Sequence, residues 1–343
     1  MLFLNDGLLS IVDDHATKVA TIICGEELGL APDCQVYATY ATNAVEFIEQ
    51  MEWLITQGVH VINVSMGVPY GRFGTYTLID KWSDHIDMNH NVLVVSATGN
   101  LFPNFKQVCS PAMSFNGIAV GAYDDADTAT HMDDTLWSNS AYIELEVIPE
   151  EDEEGEEEGE EEGNEENDEI YEFNGTGCLL HAEKPDLIAP GANIMIPGLK
   201  LESGTSFAAP FVTGTVAQMI SANLNLKSQP AILKAALLAS AFRKIDATNY
   251  GTVEGDAPYL SDKEGAGKLD SKNAIYVIAS NNYTYEYFWS TTNEYTFTLH
   301  VSSAETQMRV ALTWLKQCVF NASDLESASI GHGDWASVNV LEN

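Results

Sequence analysis

The stretch "LESGTSFAAPFVTGTVAQMI" (201–220) carries the most information about fold and chemistry. From Phe207 onward, "FAAPFVTGTVAQMISANL" (207–224) places small residues along one face and predicts a buried helix, with Pro210 tolerated near the first turn. Ser206 follows Gly204 and Thr205 at the loop-to-helix junction, which exposes its hydroxyl to the positive potential of a helix N-terminus. A serine hydroxyl is a weak nucleophile until an imidazole takes its proton and donors meet the developing oxyanion. Ala208 stands where the Gly-x-Ser-x-Gly elbow needs its second glycine, so an esterase of the α/β-hydrolase type carries little weight.

Outward from that helix the chain alternates strands and helices. "QVYATYA" (35–41), "VHVINVSMG" (59–67), "NVLVVSATGN" (91–100) and "GIAVGAYD" (117–124) read as strands. "AVEFIEQMEWLITQG" (44–58) and "TLIDKWSDHIDMNH" (77–90) read as helices between them, and "QPAILKAALLASAF" (229–242) as one more after the serine helix. Continuous apolar strands separated by helices imply an α/β fold, a mostly parallel sheet covered on both faces, with sites at the carboxyl ends of strands. From about Asn281 the pattern becomes alternating, in "YTYEYFWS", "EYTFTLHVS" and "QMRVALTWL", which predicts a small antiparallel β-domain over 281–343.

With 343 residues, 45% of them hydrophobic, the chain can fill a sizeable core. Its formal charge of -36, from 51 acidic against 15 basic residues, repels nucleic acid and anionic membranes, so neither is expected as a partner. Much of that charge lies in "PEEDEEGEEEGEEEGNEENDEIYE" (149–172), a solvated Glu/Gly insertion with little to pack. The run lacks the spaced Asp/Asn/Gly pattern of a calcium loop. No cofactor is expected, and loose calcium association is left open without an identifiable site. Cys24, Cys34, Cys109, Cys178 and Cys318 show no CxxC spacing and an odd count, which predicts isolated thiols. "MLFLNDGLLSIVDD" has no basic n-region or long apolar h-region, and no stretch is long enough to span a membrane. Location is therefore undetermined, and export is expected only if a longer N-terminus exists.

Taken singly, Ser206 reads as a helix cap, Asn100 as a turn residue and His15 as a surface histidine at the start of a helix. Together their segments resemble the subtilisin-like serine proteases, the subtilases of peptidase family S8. "GTSFAAPFVTG" is similar to that family's nucleophile motif, and "HATKVATIICG" (15–25) to its histidine motif, with Ala16 and Thr21 where glycine is usual. "VINVSMG" resembles its substrate-binding strand, "VVSATGN" its oxyanion strand, and "KPDLIAPGANI" (184–194) the segment leading toward the serine. The matches fall in family order over roughly residues 13 to 280.

The resemblance implies a subtilisin-like three-layer fold over 1–280, with Ser206 as nucleophile, His15 as general base and Asn100 as oxyanion donor. It implies that Ser65, Met66 and Gly67 pair with the substrate main chain and that Gly99 helps form the floor of the P1 pocket. The C-terminal strands are similar to β-sandwich domains appended to many subtilases. The family's aspartate ends a strand some tens of residues before the histidine, and only fourteen residues precede His15. Asp6, in "LNDG", reads as a turn, and Asp13 or Asp14 as the helix cap. The expectation is that the aspartate and its strand are absent from this chain, which would expose the neighbouring strand edges. Serine endopeptidase function follows by resemblance. The alternative is a catalytically impaired relative that uses the groove to bind peptide or protein.

Overall fold

The computed structural model describes residues 2–4, 14–67, 76–101, 108–128, 133–143, 184–196, 201–242, 263–285 and 310–317. Strand β1 (Leu2–Leu4) is followed by α1 (Asp14–Cys24), β2 (Val36–Ala38), α2 (Ala44–Thr56) and β3 (Val61–Val64). Next come α3 (Leu78–His85), β4 (Leu93–Ala97), β5 (Ile118–Asp124) and the two-residue β6 (Thr135–Leu136). The remaining elements are β7 (Leu187–Pro190), β8 (Ile194–Met195), β9 (Leu201–Glu202), α4 (Thr205–Ala222), α5 (Pro230–Ser240) and α6 (Ser271–Ala279).

The central sheet runs β3-β4-β5 with β7 beside β5, all parallel, and β6 adds a short antiparallel pairing to β5. Side chains alternate across it. Leu93, Val95 and Ala97 of β4, with Ile118, Val120 and Ala122 of β5, face a core built with α4, α5 and α6. Val94 and the β3 residues Ile62 and Val64 face the other way, into a cluster with Phe47, Met51 and Leu54 of α2 and Ile79 of α3. All five residues of β4 are buried, as the apolar run "VLVV" requires of a strand covered on both faces. The layers are helix, sheet, helix, in agreement with the expected α/β class.

The expected β–α–β unit forms in order, but β2 and β3 are not paired with each other. β2 pairs with β1 in a separate two-stranded parallel ribbon, and β3 is the end strand of the central sheet among the described residues. Asn43 caps α2 by accepting from the Glu46 backbone N–H at 3.0 Å. The helix expected over 77–90 divides into α3 and a π-helical turn, Ile86–His90, that ends on Asn91 in the left-handed conformation. Pro210 lies beyond the first turn of α4, six residues into the helix, because the helix begins at Thr205 rather than Phe207.

One face of α3 and its continuation buries three carboxyls. Asp80 accepts from Ser110 Oγ at 2.6 Å, from the backbone N–H and hydroxyl of Thr77 at 2.8 Å each, and from Met113 N at 3.1 Å. Asp84 accepts from Tyr76 and Asn116, and Asp87 from Val94 N. Burial raises the affinity of all three for a proton: Asp80 is pushed up to about 6, Asp84 upward, and Asp87 well above the ordinary carboxylate value. Nearby, Lys184 and Lys234 flank Asp186 at 2.9 and 3.2 Å.

The acidic insertion and most of the expected C-terminal β-domain lie outside the described residues. Of that domain's expected strands, only 310–317 is described beyond Tyr285. It has alternating exposure but no strand pairing among the described residues, and it docks through Lys316 and Asn116, whose backbone and side chain exchange hydrogen bonds at 2.6 and 2.9 Å. Cys24, Cys34 and Cys109 form no disulfide among the described residues, and Cys178 and Cys318 lie outside the described residues.

Candidate active site

α1 and α4 pack together through Val19, Ile22 and Ile23 on one side and Phe207 on the other. That packing sets two helix N-termini side by side, and from them His15 and Ser206 converge. His15 Nε2 lies 2.8 Å from Ser206 Oγ, across 191 residues of chain. Phe207 supports the imidazole, with ring centroids 5.3 Å apart and planes tilted by 55°. Ser206 is the second residue of α4, where the helix dipole favours negative charge.

Asn100, just past the end of β4, completes the cluster. Its Oδ1 accepts from the backbone N–H of Thr205 at 3.0 Å and from the Thr205 hydroxyl at 3.1 Å. A backbone N–H can only donate, so the amide nitrogen of Asn100 must be the end that points away from Thr205. A β-carbon on Gly204 would come 3.1 Å from Ser206 Oγ and 3.4 Å from Asn100 Nδ2. The hydroxyl and the amide therefore face a common space that only glycine leaves clear. The Thr205 hydroxyl also accepts from Gly99 N at 3.0 Å, so one buried side chain ties the strand end to the helix start. Sequence reading assigned Thr205 no role, although its place beside the serine was the available signal.

Ser65, Met66 and Gly67 extend from the end of β3. Ser65 Oγ reaches the backbone carbonyl of Ser206 at 2.7 Å. Met66 packs its side chain against the α2/α3 cluster. Gly67 and Gly99 meet at Cys109: β-carbons there would lie 2.8 Å from Cys109 Cβ and Sγ respectively. Gly99 has φ +104, a conformation that favours glycine. The half-buried Cys109 thus sits against both glycines expected at the substrate groove, and burial pushes its thiol pKa up, away from a reactive thiolate.

Asp14 is the first residue of α1 rather than a residue ahead of it, and its carboxylate pairs with Lys18 Nζ at 2.5 Å. Lys18 also reaches Glu202 of β9 at 2.5 Å, fastening α1 to the strand that leads into the serine loop. Asp6 and Asp13 lie outside the described residues. Among the described residues no cluster of three or more His, Cys, Asp or Glu could hold a metal ion, and no helix is long and apolar enough to cross a membrane.

The chain is similar to known proteins in sequence and in fold. The chain is 28% identical over 294 residues to membrane-bound transcription factor site-1 protease of Rattus norvegicus, covering 81% of this chain and 22% of that protein. It therefore spans less than a quarter of that relative's length. Subtilisin BL of Lederbergia lenta is 27% identical over 218 residues, covering 59% of this chain and 61% of its own length. The solved structure of the prenylagaramide maturation protease PagA superposes with a TM-score of 0.53 at 25% identity, over 81% of this chain and 86% of that one. The family described as the subtilase family, Peptidase S8, matches residues 9–267, and the chain belongs to it.

Proposed function

We propose that the chain is a serine endopeptidase that cleaves peptide bonds through an acyl-enzyme on Ser206. The observation that carries this reading is the 2.8 Å approach of His15 Nε2 to Ser206 Oγ at a helix N-terminus. In the first step the Ser206 proton passes to His15 Nε2 as Oγ bonds to the substrate carbonyl carbon. The carbonyl oxygen takes the negative charge in the space facing Asn100 Nδ2 and the first turn of α4. His15 then returns the proton to the departing amine as the C–N bond breaks. Water repeats the sequence on the ester, releasing the acid and restoring Ser206. Side chains alone carry both steps, so no cofactor is required.

The substrate main chain would pair with Ser65–Gly67 as an added strand, a position consistent with β3 ending its sheet among the described residues. Gly67 and Gly99 would admit the side chain before the cleaved bond, with Cys109 beneath it. Peptide or protein substrates follow from family membership.

The test is labelling of the purified chain with a fluorophosphonate probe, beside Ser206→Ala and with circular dichroism on both. Labelling confined to the serine-bearing chain is expected. A folded chain that stays unlabelled yet binds peptides would overturn the reading in favour of a non-catalytic peptide-binding module.

A further inference from the structure

A polar chain lies under the nucleophile and takes no part in the proton transfers at Ser206. Thr213 Oγ1 lies 2.9 Å from Asn63 Oδ1, Asn63 Nδ2 lies 2.8 Å from Ser65 Oγ, and Ser65 Oγ lies 2.7 Å from the Ser206 carbonyl oxygen. The direction of every bond is forced. A carbonyl can only accept, so the Ser65 proton goes to Ser206. Ser65 Oγ must then accept, which places the Asn63 amide nitrogen toward it and the Asn63 oxygen toward the Thr213 hydroxyl. The chain crosses from β3 to the first turns of α4, joining residues 141 and 150 apart in sequence.

The Ser206 carbonyl is available for a reason written into the helix. In a regular α-helix it would accept from the backbone N–H four residues on, and that residue is Pro210, which has none. A partly buried carbonyl without a partner costs about 1–3 kcal/mol, so a donor is needed from elsewhere. Ser65 supplies it from the strand end where the substrate backbone is expected to lie.

We propose that Ser65 is a positioning residue whose hydroxyl replaces the helix hydrogen bond that Pro210 cannot make, and so fixes the nucleophile's backbone to the substrate-binding strand. The inference rests on Ser206 being the nucleophile. Pro210 frees the serine carbonyl from the helix ladder, and Ser65 takes that carbonyl up on the groove side. A peptide that orders the Ser65–Gly67 edge then orders Ser206 through a single hydrogen bond. Asn63 and Thr213 hold the Ser65 hydroxyl in the rotamer that reaches Ser206.

The experiment is a cycle of Ser65→Ala and Pro210→Ala in the full chain, with Ser65→Thr as the conservative variant. It is read by the rate of fluorophosphonate labelling, by the kcat and KM of peptide cleavage, and by melting temperature. Ser65→Ala should label about tenfold more slowly, the rate loss expected when about 1.4 kcal/mol of the positioning contact is realised only in the transition state. Its loss should fall on kcat, because the backbone that binds substrate is unchanged. Ser65→Thr keeps the donor and should recover most of the rate. Pro210→Ala restores the missing N–H, so adding Ser65→Ala to it should slow labelling by no more than about threefold. Equal labelling by wild type and Ser65→Ala would overturn the inference while leaving the peptidase reading intact, as would strictly additive losses. A wild type that does not label overturns the peptidase reading instead. The melting cycle then decides the contact: a smaller drop for Ser65→Ala in the Pro210→Ala background supports it, and equal drops overturn it.

Discussion

Two polar networks penetrate the apolar interior, one around Ser206 and one along α3, and they differ in what each leaves unpaired. At Ser206, one contact joins His15 to the serine and two join Thr205 to Asn100, yet the serine hydroxyl and the Asn100 amide still face a shared space beside Gly204. Along α3, Asp80, Asp84 and Asp87 are at least as deeply set, but the donors of Thr77, Ser110, Met113, Tyr76, Asn116 and Val94 close around them and leave only Asp87 Oδ2 without one among the described residues. Carboxyl groups with displaced pKa values often mark active sites. Here such groups belong to a buried network in which Asp80 and Asp84 fix the 110–117 loop, while the candidate site is recognised by geometry and by donors with capacity to spare.

The contrast is sharpest at the serine. Ser206→Ala should abolish turnover, since loss of the serine from such a pair in subtilisin costs on the order of 10⁶ in kcat. Peptide cleavage by the variant at anything near the wild-type rate would remove Ser206 from the mechanism. Asn100→Ala should come next, with kcat falling by about 10²–10³ and KM little changed, as for removal of one oxyanion donor. A change confined to KM would make Asn100 a substrate-positioning group and would bring the two networks closer in character.

Local signals in the sequence carried much of this site and little of its support. Residues 204–214 form one continuous motif, and His15 and Asn100 each sit in short recognisable segments, so their convergence could be anticipated from family order. The Thr205–Asn100 and Ser65–Ser206 contacts join residues 105 and 141 apart, and no local period encodes which hydroxyl meets which carbonyl. β7 is four residues long and ends on Pro190, too short for periodicity to separate strand from helix. Three aspartates spaced along one face of a helix resemble a solvated face. Burial inverts that reading only because the 110–117 loop supplies donors to Asp80 and Asp84, and β4 supplies Val94 N–H to Asp87. The sheet division between β2 and β3 was equally hidden, since a β–α–β pattern fixes chain order and not which strands are neighbours.

Gly99 tests the backbone that the two networks share, because Cys109 beneath it precedes Ser110, the donor to Asp80. Gly99→Ala forces a side chain at φ +104 and brings a β-carbon to 2.8 Å from Cys109 Sγ. A loss of about 1–3 kcal/mol is expected in urea unfolding, together with slower labelling of Ser206. An unchanged unfolding midpoint would mean that the strand end relaxes without disturbing either network.

The smallest effect should come from the sealed side. Burial raises the Asp87 pKa well above its ordinary value, and its Oδ2 finds no donor among the described residues, as fits a carboxyl that keeps its proton when folded. The unfolded chain releases that proton above about pH 4. The group's contribution to stability is therefore complete below that pH and is lost as pH rises toward the folded pKa. Asn cannot titrate, and its oxygen can still accept from Val94. Asp87→Asn should thus be more stable relative to wild type at pH 7 than at pH 5, by on the order of 1 kcal/mol or more, since a tenfold difference in proton affinity between folded and unfolded chain corresponds to about 1.4 kcal/mol. Urea midpoints at the two pH values measure the difference. A difference that stays constant with pH would show that Asp87 is ionised in the fold, and the α3 network would then hold spare charge much as the serine site does.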